Sequence, residues 1–452
     1  MNQFPPGTVR LEDRQNQHLI LSPQPTSDPN EPLNWSASRK TVQMSLLCLY
    51  TIMCFAGLNV MTPVWEDLLE DRGFSFTLLD NTNATNFAAL LVAGLAGAVS
   101  ESLFQVTVAD LFYVHQRGTM NGIYLVIVTI GNCLDPVASG YVAVSQGWQW
   151  SFWWCAIFMG ITAVLLIFIL EESKWKPSIH GIARLITRQP TRLVEIDHSI
   201  PMRSYLERHP FVQPAKVLKW SQFIMNYKEP VAILMEFAVV AFTAVQYGFN
   251  IACLAILVIN QSTLYSESPY LFSTIQIGNM NLPTAIGSLL GALFGGPIID
   301  LFLIRLAKRN GGIYEPEMRL YLYCIPALSM VAGIFFFGLT IAKGESWILN
   351  AVGAAFMGGG QGGMCDMLLA YLQDSYRDMT GAALVPVAFV CGTILVFPVP
   401  YWRSCMGTYN MFVLVGCLSV FVSSLHIPIA IFGKKSRIAR AEKYAAYPKQ
   451  HQ

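Results

Sequence analysis

Charged residues are scarce in this chain of 452 residues, where they make up 13% of the total, against about 25% in soluble domains. Hydrophobic residues make up 54%, and the mean hydropathy is +0.45. A surface that faces water needs more charge than this, so most of the surface must face lipid. The composition excludes a disordered chain, and the net charge of +1 gives no basis for binding nucleic acid.

The sequence also lacks the residue spacings that metal ions and cofactors require. None of the ten cysteines forms a Cys-x-x-Cys pair, and no His-x-x-x-His pair occurs. Gly358, Gly360 and Gly363 match the G-x-G-x-x-G pattern, but an apolar helical run precedes them where a nucleotide site needs a strand. We therefore expect no metal and no cofactor. We expect these glycines to permit close helix packing, as in a second glycine ladder at Gly287, Gly291 and Gly295.

Long apolar runs are abundant. A bilayer core of about 30 Å needs about 20 helical residues at 1.5 Å each. Ten runs reach this length: 42–63, 87–112, 120–144, 148–170, 231–259, 277–299, 320–342, 346–369, 381–401 and 411–432. Because lipid tolerates only helices or closed barrels, we predict an all-α, polytopic membrane protein with about ten transmembrane helices.

Polar segments divide these spans into two unequal groups. We predict a polar tail at 1–41, four spans within 42–170, a linker at 171–230, six spans within 231–432, and a basic tail at 433–452. Pro190, Pro201, Pro210 and Pro214 interrupt any long helix in the linker. We interpret the linker as a tether, with a regulatory or lipid-touching segment as the alternative.

The distribution of Lys and Arg predicts the orientation in the membrane. If the N-terminus is cytoplasmic, 26 of the 29 basic residues fall in cytoplasmic segments, and only Arg72, Lys343 and Arg403 lie outside. Both termini are therefore predicted to be cytoplasmic. On the outer side, Asn83 and, more weakly, Asn260 stand in glycosylation sequons.

Acidic residues occur inside the predicted spans, although no Lys or Arg does. A charge at the bilayer centre costs at least about 2.5 kcal/mol, so such groups usually serve a function. Glu101 and Asp135 lie deepest, whereas Asp110, Glu236 and Asp366 lie nearer the boundaries. A neutral carboxyl held by a hydrogen bond between helices is one explanation, and a proton or a cationic substrate is the other. The candidates for a proton or substrate pathway are Glu101, Asp135, Glu236 and Asp366.

Several motifs resemble one family of transporters. The stretch Gly131 to Gly140, with Asp135 and Pro136 at its centre, resembles the antiporter motif of the major facilitator superfamily, with Asp135 in place of a glycine. Further stretches resemble fungal drug:proton antiporter-like members of that family: EPLNW at 31–35, residues 100–124, GGPIID at 295–300, RNGGIYEPE at 309–317 and QDSYRD at 373–378. The resemblance covers almost the whole chain. It implies two six-helix halves that rock about a central cavity, and it implies export of a small organic molecule.

Two cytoplasmic loops are candidate gates. They contain Asp110 and Arg117 in one case, and Asp300, Arg305 and Arg309 in the other. We expect Asp300 to bind the N-terminus of a helix that begins near Thr119, where unpaired N–H groups favour an anion. Such a contact would form one half of an alternating-access switch, unless the loop is only a topology anchor.

The sequence departs from this family after the first span. Residues 65–86 provide only an acidic outer loop, where the family has two helices joined by a loop with a Gly-x-x-x-Asp-Arg-x-Gly-Arg-Arg signature. We therefore predict four plus six helices instead of twelve, with the second and third helices of the family missing.

The expected function is secondary transport in the plasma membrane, with efflux of a small drug-like molecule or secondary metabolite against proton entry. Proton-coupled uptake of an organic cation such as a polyamine is one alternative. A truncated remnant or scaffold that transports nothing is another. We expect no enzyme activity, because no constellation of nucleophile, metal or cofactor residues stands near a membrane boundary.

Overall fold

The computed structural model describes residues 28–60, 62–64, 110–173, 232–376 and 394–444, with shorter pieces at 6, 8–10, 103–104, 106–108, 201, 204–208 and 392. The described chain is helical almost throughout. Its helices are α1 (Ala37–Asn59), α2 (Val114–Thr129), α3 (Asp135–Gln146), α4 (Trp148–Ile169), α5 (Tyr205–Arg208), α6 (Ala238–Ser266), α7 (Thr274–Asn279), α8 (Leu282–Leu293), α9 (Ile299–Arg309), α10 (Cys324–Ala342), α11 (Trp347–Ser375), α12 (Val399–Ser424) and α13 (His426–Ala439). Two short strands, β1 (Val9–Arg10) and β2 (Ile313–Tyr314), form an antiparallel ladder.

Seven helical segments of the described residues are long and apolar enough to cross a membrane: Ala37–Asn59, Thr119–Gln146, Trp148–Ile169, Ala238–Ser266, Thr274–Arg309, Cys324–Ala342 and Val399–Ala439. The prediction of an all-α, polytopic membrane protein is confirmed. Helix α11 covers the predicted span 346–369 with 29 residues, but its glycine and polar content keeps it out of this apolar group. Most of the predicted spans 87–112 and 381–401 lies outside the described residues, as does all of 65–100. The count of ten spans and the loss of two helices therefore stay predictions.

Two of the spans contain a π-helical turn beside a proline. Residues Ile130–Leu134 separate α2 from α3, and Pro136 stands in the first turn of α3. Residues Phe294–Ile298 separate α8 from α9 and contain Pro297. Proline has no N–H to donate and its ring crowds the preceding turn, so a wider turn lets the helix continue. Each span thus crosses its proline without ending.

Helix α11 lies between α8 and α10 with its backbone close to both. A Cβ atom added to Gly295 would lie 2.7 Å from the carbonyl oxygen of Gly363, and one on Gly291 would overlap that of Gly359. On the opposite face of α11, a Cβ on Gly360 would overlap the backbone of Met330 in α10. The expectation that the glycine ladders serve helix packing is therefore confirmed. Side chains larger than hydrogen would push these three helices apart.

The N-terminal group of helices packs around α1. Helix α1 contacts α4 and the first π-helical turn, where a Cβ on Gly131 would lie 2.8 Å from the Cβ of Phe55. The Ser151 hydroxyl of α4 donates to the Ser139 carbonyl of α3 at 3.1 Å. The rest of α4 faces outward with exposed apolar side chains such as Trp153 and Ile167, as a lipid-facing helix requires.

Both ends of the described chain lie at the same end of the bundle, which we call the tail end. There, the Arg437 guanidinium donates to the carbonyl of Pro6 and, at 3.4 Å, to the hydroxyl of Thr8. Lys40 of α1 donates to the carbonyls of Leu33 and Leu111 at 3.0 and 2.9 Å. The opposite end, the loop end, carries the turns at 267–273 and 343–346.

Part of the predicted linker is also attached to the tail end. The Tyr205 hydroxyl of α5 donates to the carbonyl of Phe168 at 2.6 Å, and Asn30 donates to the carbonyl of Pro201 at 3.2 Å. The described linker residues 201 and 204–208 therefore make specific contacts with the N-terminal group of helices.

The close packing of α8 on α11 predicts the effect of a larger side chain. We expect Gly291→Leu to lower stability by about 1–3 kcal/mol or more, because the added atoms have no free volume between the two backbones. Gly160→Leu is the matched control, since a Cβ at Gly160 meets nothing within 4 Å. Thermal aggregation of fluorescent-protein fusions in detergent measures both, and equal midpoints for the two variants would contradict this packing.

Candidate functional site

The two groups of helices meet at the tail end through polar contacts between α2 and the C-terminal helices. The buried amide of Asn121 donates to Gln373 of α11 at 2.8 Å. The Thr119 hydroxyl contacts Oδ2 of Asp300 in α9 at 3.5 Å. We call this contact region, made by Thr119, Asn121, Asp300 and Gln373, the tail-end gate. It spans the two groups, so it must break if the cavity between them opens toward the tail end.

A buried ion cluster lies next to the tail-end gate and contacts its residue Asp300. Arg319 lies 3.0 Å from Asp300 and 3.0 Å from Asp374 of α11. The Tyr314 hydroxyl of β2 donates to the same Asp374 carboxylate at 2.6 Å. Arg319 is only 3% exposed and Asp374 only 1%, so each depends on the other for charge compensation.

Burial and nearby charges shift the pKa values of two members of this cluster. Burial raises the pKa of Tyr314 well above the usual value for tyrosine, so its hydroxyl stays neutral and donates. Burial alone would lower the pKa of Arg319, but the carboxylates of Asp374 and Asp300 raise it well above its usual value. The guanidinium is therefore a fixed charge that holds Asp300 in place.

Asp366 lies in α11 where that helix crosses α2 and the second π-helical turn. It is fully buried, and neither of its carboxyl oxygens accepts a hydrogen bond from any residue that the structure describes. A Cβ on Gly122 of α2 would lie 3.3 Å from Asp366 Oδ2, and one on Gly295 would lie 3.1 Å from its Cβ. The carboxyl is thus enclosed between the two groups of helices by glycines. Along α11 it lies eight residues, a little more than two turns, before Asp374.

A small cavity of about 20 Å³, room for about one water molecule, lies between the two groups of helices. The residues that line it come from α2, the first π-helical turn, α6, α8 and α11: Leu125, Val128, Thr129, Asn132, Cys133, Leu254, Ser288, Gln361, Gly362 and Cys365. Its polar groups are a hydroxyl, amide and thiol set rather than fixed charges. Cys365 is the residue before Asp366, so the cavity and the buried carboxyl share one turn of α11.

The spans Thr119–Gln146 and Thr274–Arg309 make a second contact at the loop end. Helix α7 packs against α3 there, and a Cβ on Gly278 would lie 2.7 Å from the carbonyl oxygen of Pro136. A Cβ on Gly140 would lie 3.1 Å from the carbonyl oxygen of Thr274. The spans Thr119–Gln146 and Thr274–Arg309 therefore run antiparallel and touch at both ends.

The structure separates the predicted pathway acids. Asp135 begins α3, is partly exposed, and has a buried Oδ2 with no hydrogen-bond partner among the described residues. It is absent from the lining of the cavity, although Asn132 and Cys133 belong to it. Glu236 lies on the surface before α6 and forms an ion pair with Lys443 at 2.7 Å, a hydrogen bond that lowers its pKa. Glu101 lies outside the described residues.

The predicted loop residues have different positions. Asp300 contacts Thr119 as expected, but α2 begins at Val114, so the partner is a side-chain hydroxyl within the helix rather than the helix terminus. Arg305 and Arg309 are exposed on α9. Asp110 is half-buried before α2, and the side chain of Arg117 lies outside the described part of the chain.

The structure argues against Asn260 as a glycosylation acceptor. Asn260 is buried inside α6, where its amide donates to the carbonyl of Ile256 at 2.7 Å, so it is inaccessible to a transferase. Asn83 lies outside the described residues and stays a prediction.

Sequence reasoning missed the partners of the gate. Arg319 entered only as one of the basic residues that set the orientation, and Asn121, Tyr314 and Asp374 were not singled out as site residues. Their contacts with α11 join residues 55 to 252 positions apart, a separation that no local pattern reveals. The available signal was the family resemblance, since RNGGIYEPE contains Tyr314 and QDSYRD contains Gln373 and Asp374.

The ion cluster predicts a large stability difference between two arginines. Arg319→Leu should lower stability by about 3–5 kcal/mol, because it leaves two buried or half-buried carboxylates without their cation. Arg309→Leu, on the exposed end of α9, should change it by no more than about 0.5 kcal/mol. Thermal unfolding in detergent compares the two. A second substitution, Asp374→Leu, should restore part of the loss in the Arg319→Leu protein, and a further drop of full size would contradict the pairing.

Known proteins match most of the chain and share its fold. The Major Facilitator Superfamily profile matches residues 73–397. An uncharacterized MFS-type transporter of Schizosaccharomyces pombe is 27% identical, over 95% of this chain and 90% of its own length. The MFS-type transporter penM of Penicillium rubens is 24% identical, over 95% of this chain and 93% of its own. The crystal structure of the human organic anion transporter MFSD10 superposes with a TM-score of 0.56 at 13% identity, covering 86% of this chain and 99% of that one. The chain is a multi-pass transporter rather than an enzyme, and it belongs to the Major Facilitator Superfamily.

Proposed function

We propose that this protein exports a small organic molecule in exchange for protons, by alternating access. It lies in the plasma membrane, with the tail end facing the cytoplasm. The orientation is supported by basic residues at the tail end, such as Arg305 and Arg309 of α9 and Lys434 of α13. The direction is supported by the resemblance of Gly131 to Gly140 to the antiporter motif.

The unpartnered carboxyl of Asp366 is the observation that carries the proposal. An ionised carboxylate without a hydrogen-bond donor is too costly to bury, so the closed arrangement requires Asp366 to be neutral. A proton supplies this neutrality. When the tail-end gate opens, water reaches the carboxyl and the proton can leave to the cytoplasm.

A substrate with a cationic group can neutralise the same carboxyl. The cavity next to Cys365 offers hydrogen-bonding side chains such as Thr129, Asn132 and Gln361 for the rest of such a molecule. Proton and substrate then compete for Asp366, and each allows the gate to close when the other is absent. Competition for one carboxyl couples the two fluxes in opposite directions.

The missing pair of helices is a separate proposal. The Schizosaccharomyces pombe relative aligns over 524 residues, which is more than the 452 of this chain, so that relative contains residues without a counterpart here. If the two helices are lost, the cavity needs lipid or a partner chain on that side, and the 452-residue form should transport poorly compared with a form that carries two added spans.

Substitution of Asp366 tests the coupling. Asp366→Asn should leave folding and membrane delivery intact, because the amide resembles a neutral carboxyl in shape, but efflux should lose its dependence on the proton gradient. The measurement is efflux of a fluorescent organic cation such as rhodamine 6G from vesicles at several outer pH values. Glu236→Gln is the control, since Glu236 is an exposed acid that faces Lys443.

Three results would count against the proposal. An unchanged response to pH in Asp366→Asn would remove this residue from coupling. Accumulation in place of efflux would reverse the direction, as in proton-coupled uptake of an organic cation. A wild-type protein that is well folded yet moves no compound in a broad panel would favour the remnant or scaffold.

Substitution of either of two glycines should shift the protein toward one open state, and the two substitutions should favour opposite open states. Gly122→Leu cannot fit beside Asp366 when the tail end is closed, and Gly278→Leu cannot fit against Pro136 when the loop end is closed. The first should therefore favour a tail-end-open state and the second a loop-end-open state. Spin labels at Gln116 and Ile304 report the tail end, and labels at Ser145 and Glu267 report the loop end, in a chain whose native cysteines are replaced. Shifts of the same sign in both variants, or in Gly160→Leu, would contradict this interpretation.

A further inference from the structure

The N-terminal tail binds the loop that carries the ion cluster. Strand β1 pairs with β2 in antiparallel register, with Val9 opposite Tyr314 and Arg10 opposite Ile313. Strand β2 belongs to the connection between α9 and α10, residues 310–323, which we call the cluster loop. The tail thus adds a strand to the element that presents Tyr314 to Asp374.

A buried arginine of α13 fastens the tail and the cluster loop together. Arg437 has no exposed surface, and its Nε and Nη2 donate to the Glu317 carboxylate at 2.8 and 2.5 Å. Its remaining nitrogen, Nη1, donates to the carbonyl of Pro6 and the hydroxyl of Thr8. One guanidinium therefore joins the C-terminal helix, the cluster loop and the tail.

Direct contacts lead from this junction to the tail-end gate. Tyr314, the partner of Val9 in the ladder, donates to Asp374. Asp374 binds Arg319, and Arg319 binds Asp300. Asp300 contacts Thr119 on the other group of helices. A change in the position of the cluster loop therefore reaches the gate through contacts of 2.6 to 3.5 Å.

We propose that the N-terminal tail is a positioning element of the tail-end gate: the docked strand holds the cluster loop in the arrangement that keeps Asp300 at Thr119, and its release favours opening. This role goes beyond proton-coupled export, because neither the substrate nor a proton takes part in it. It also differs from a mechanical leash. Residues 11–27 separate β1 from Asp28, and a stretch of this length can reach about 60 Å, so it cannot pull the two groups of helices together.

The test compares tail variants by the distance across the tail-end gate. Spin labels are placed at Gln116 and Ile304 in two proteins. One is the cysteine-replaced full chain, and the other is the same chain without residues 1–10. We expect the truncated chain to gain a population with a longer distance between the labels. Labels at Ser145 and Glu267 should show no matching increase at the loop end, because only the tail-end gate loses its support.

A second variant keeps the tail at full length. Val9→Pro with Arg10→Pro removes the backbone N–H groups that a ladder with β2 requires, and it should produce the same longer distance. Asn16→Pro with Gln17→Pro is the matched control, since it places two prolines in the tail outside β1. It should leave the distance unchanged.

A purely structural tail gives a different result. If truncation or the paired prolines in β1 lower the melting temperature but leave the distances between the labels unchanged, the tail does not position the gate and the proposal is wrong. An equal shift in the control prolines would also overturn it. None of these readouts uses transport, so loss of the proton-coupled mechanism and loss of this role are distinguishable.

Discussion

Backbone-to-backbone contact between α11 and its neighbours α8 and α10 is the constraint on which the site depends. Glycines at the contact points let three helices approach without side chains between them. On the same helix, glycines of α2 and of the second π-helical turn enclose the Asp366 carboxyl, which has no hydrogen-bond partner among the described residues. The approach of the helices also brings Asp374, two turns further along α11, to the position where Arg319 can reach it.

The gate adjoins two kinds of buried acid. Asp300 and Asp374 lie beside the Arg319 guanidinium, which compensates their charge. Neither carboxyl oxygen of Asp366 has a hydrogen-bond partner among the described residues. The acids paired with Arg319 hold the geometry of the gate, and under the proposed mechanism the Asp366 carboxyl makes its closure depend on what is bound.

The sequence predicted the features that a lipid environment requires, but few of the features that depend on tertiary contacts. Apolar runs of about 20 residues identified the helices, because a membrane allows few alternatives for them. The glycine ladder at 287, 291 and 295 indicated a packing face for the same reason. The rank of the acids was not predictable: Asp366 looked peripheral by its place in the span, yet it is fully buried, since burial depends on α2 and the second π-helical turn. Glu236 looked equally eligible, and its surface pairing with Lys443 depends on a segment 207 residues away.

The two π-helical turns determine which side of each span faces its neighbour. A residue added to a helix rotates everything beyond it by about 100°, and a π-helical turn absorbs one such residue. Loss of a single residue within Phe294–Ile298 would therefore turn Asp300 and the rest of α9 away from Thr119, although hydropathy and composition would hardly change. The apolar character of a span therefore does not by itself determine whether Asp300 meets Thr119, because the length of the proline-containing turn also contributes.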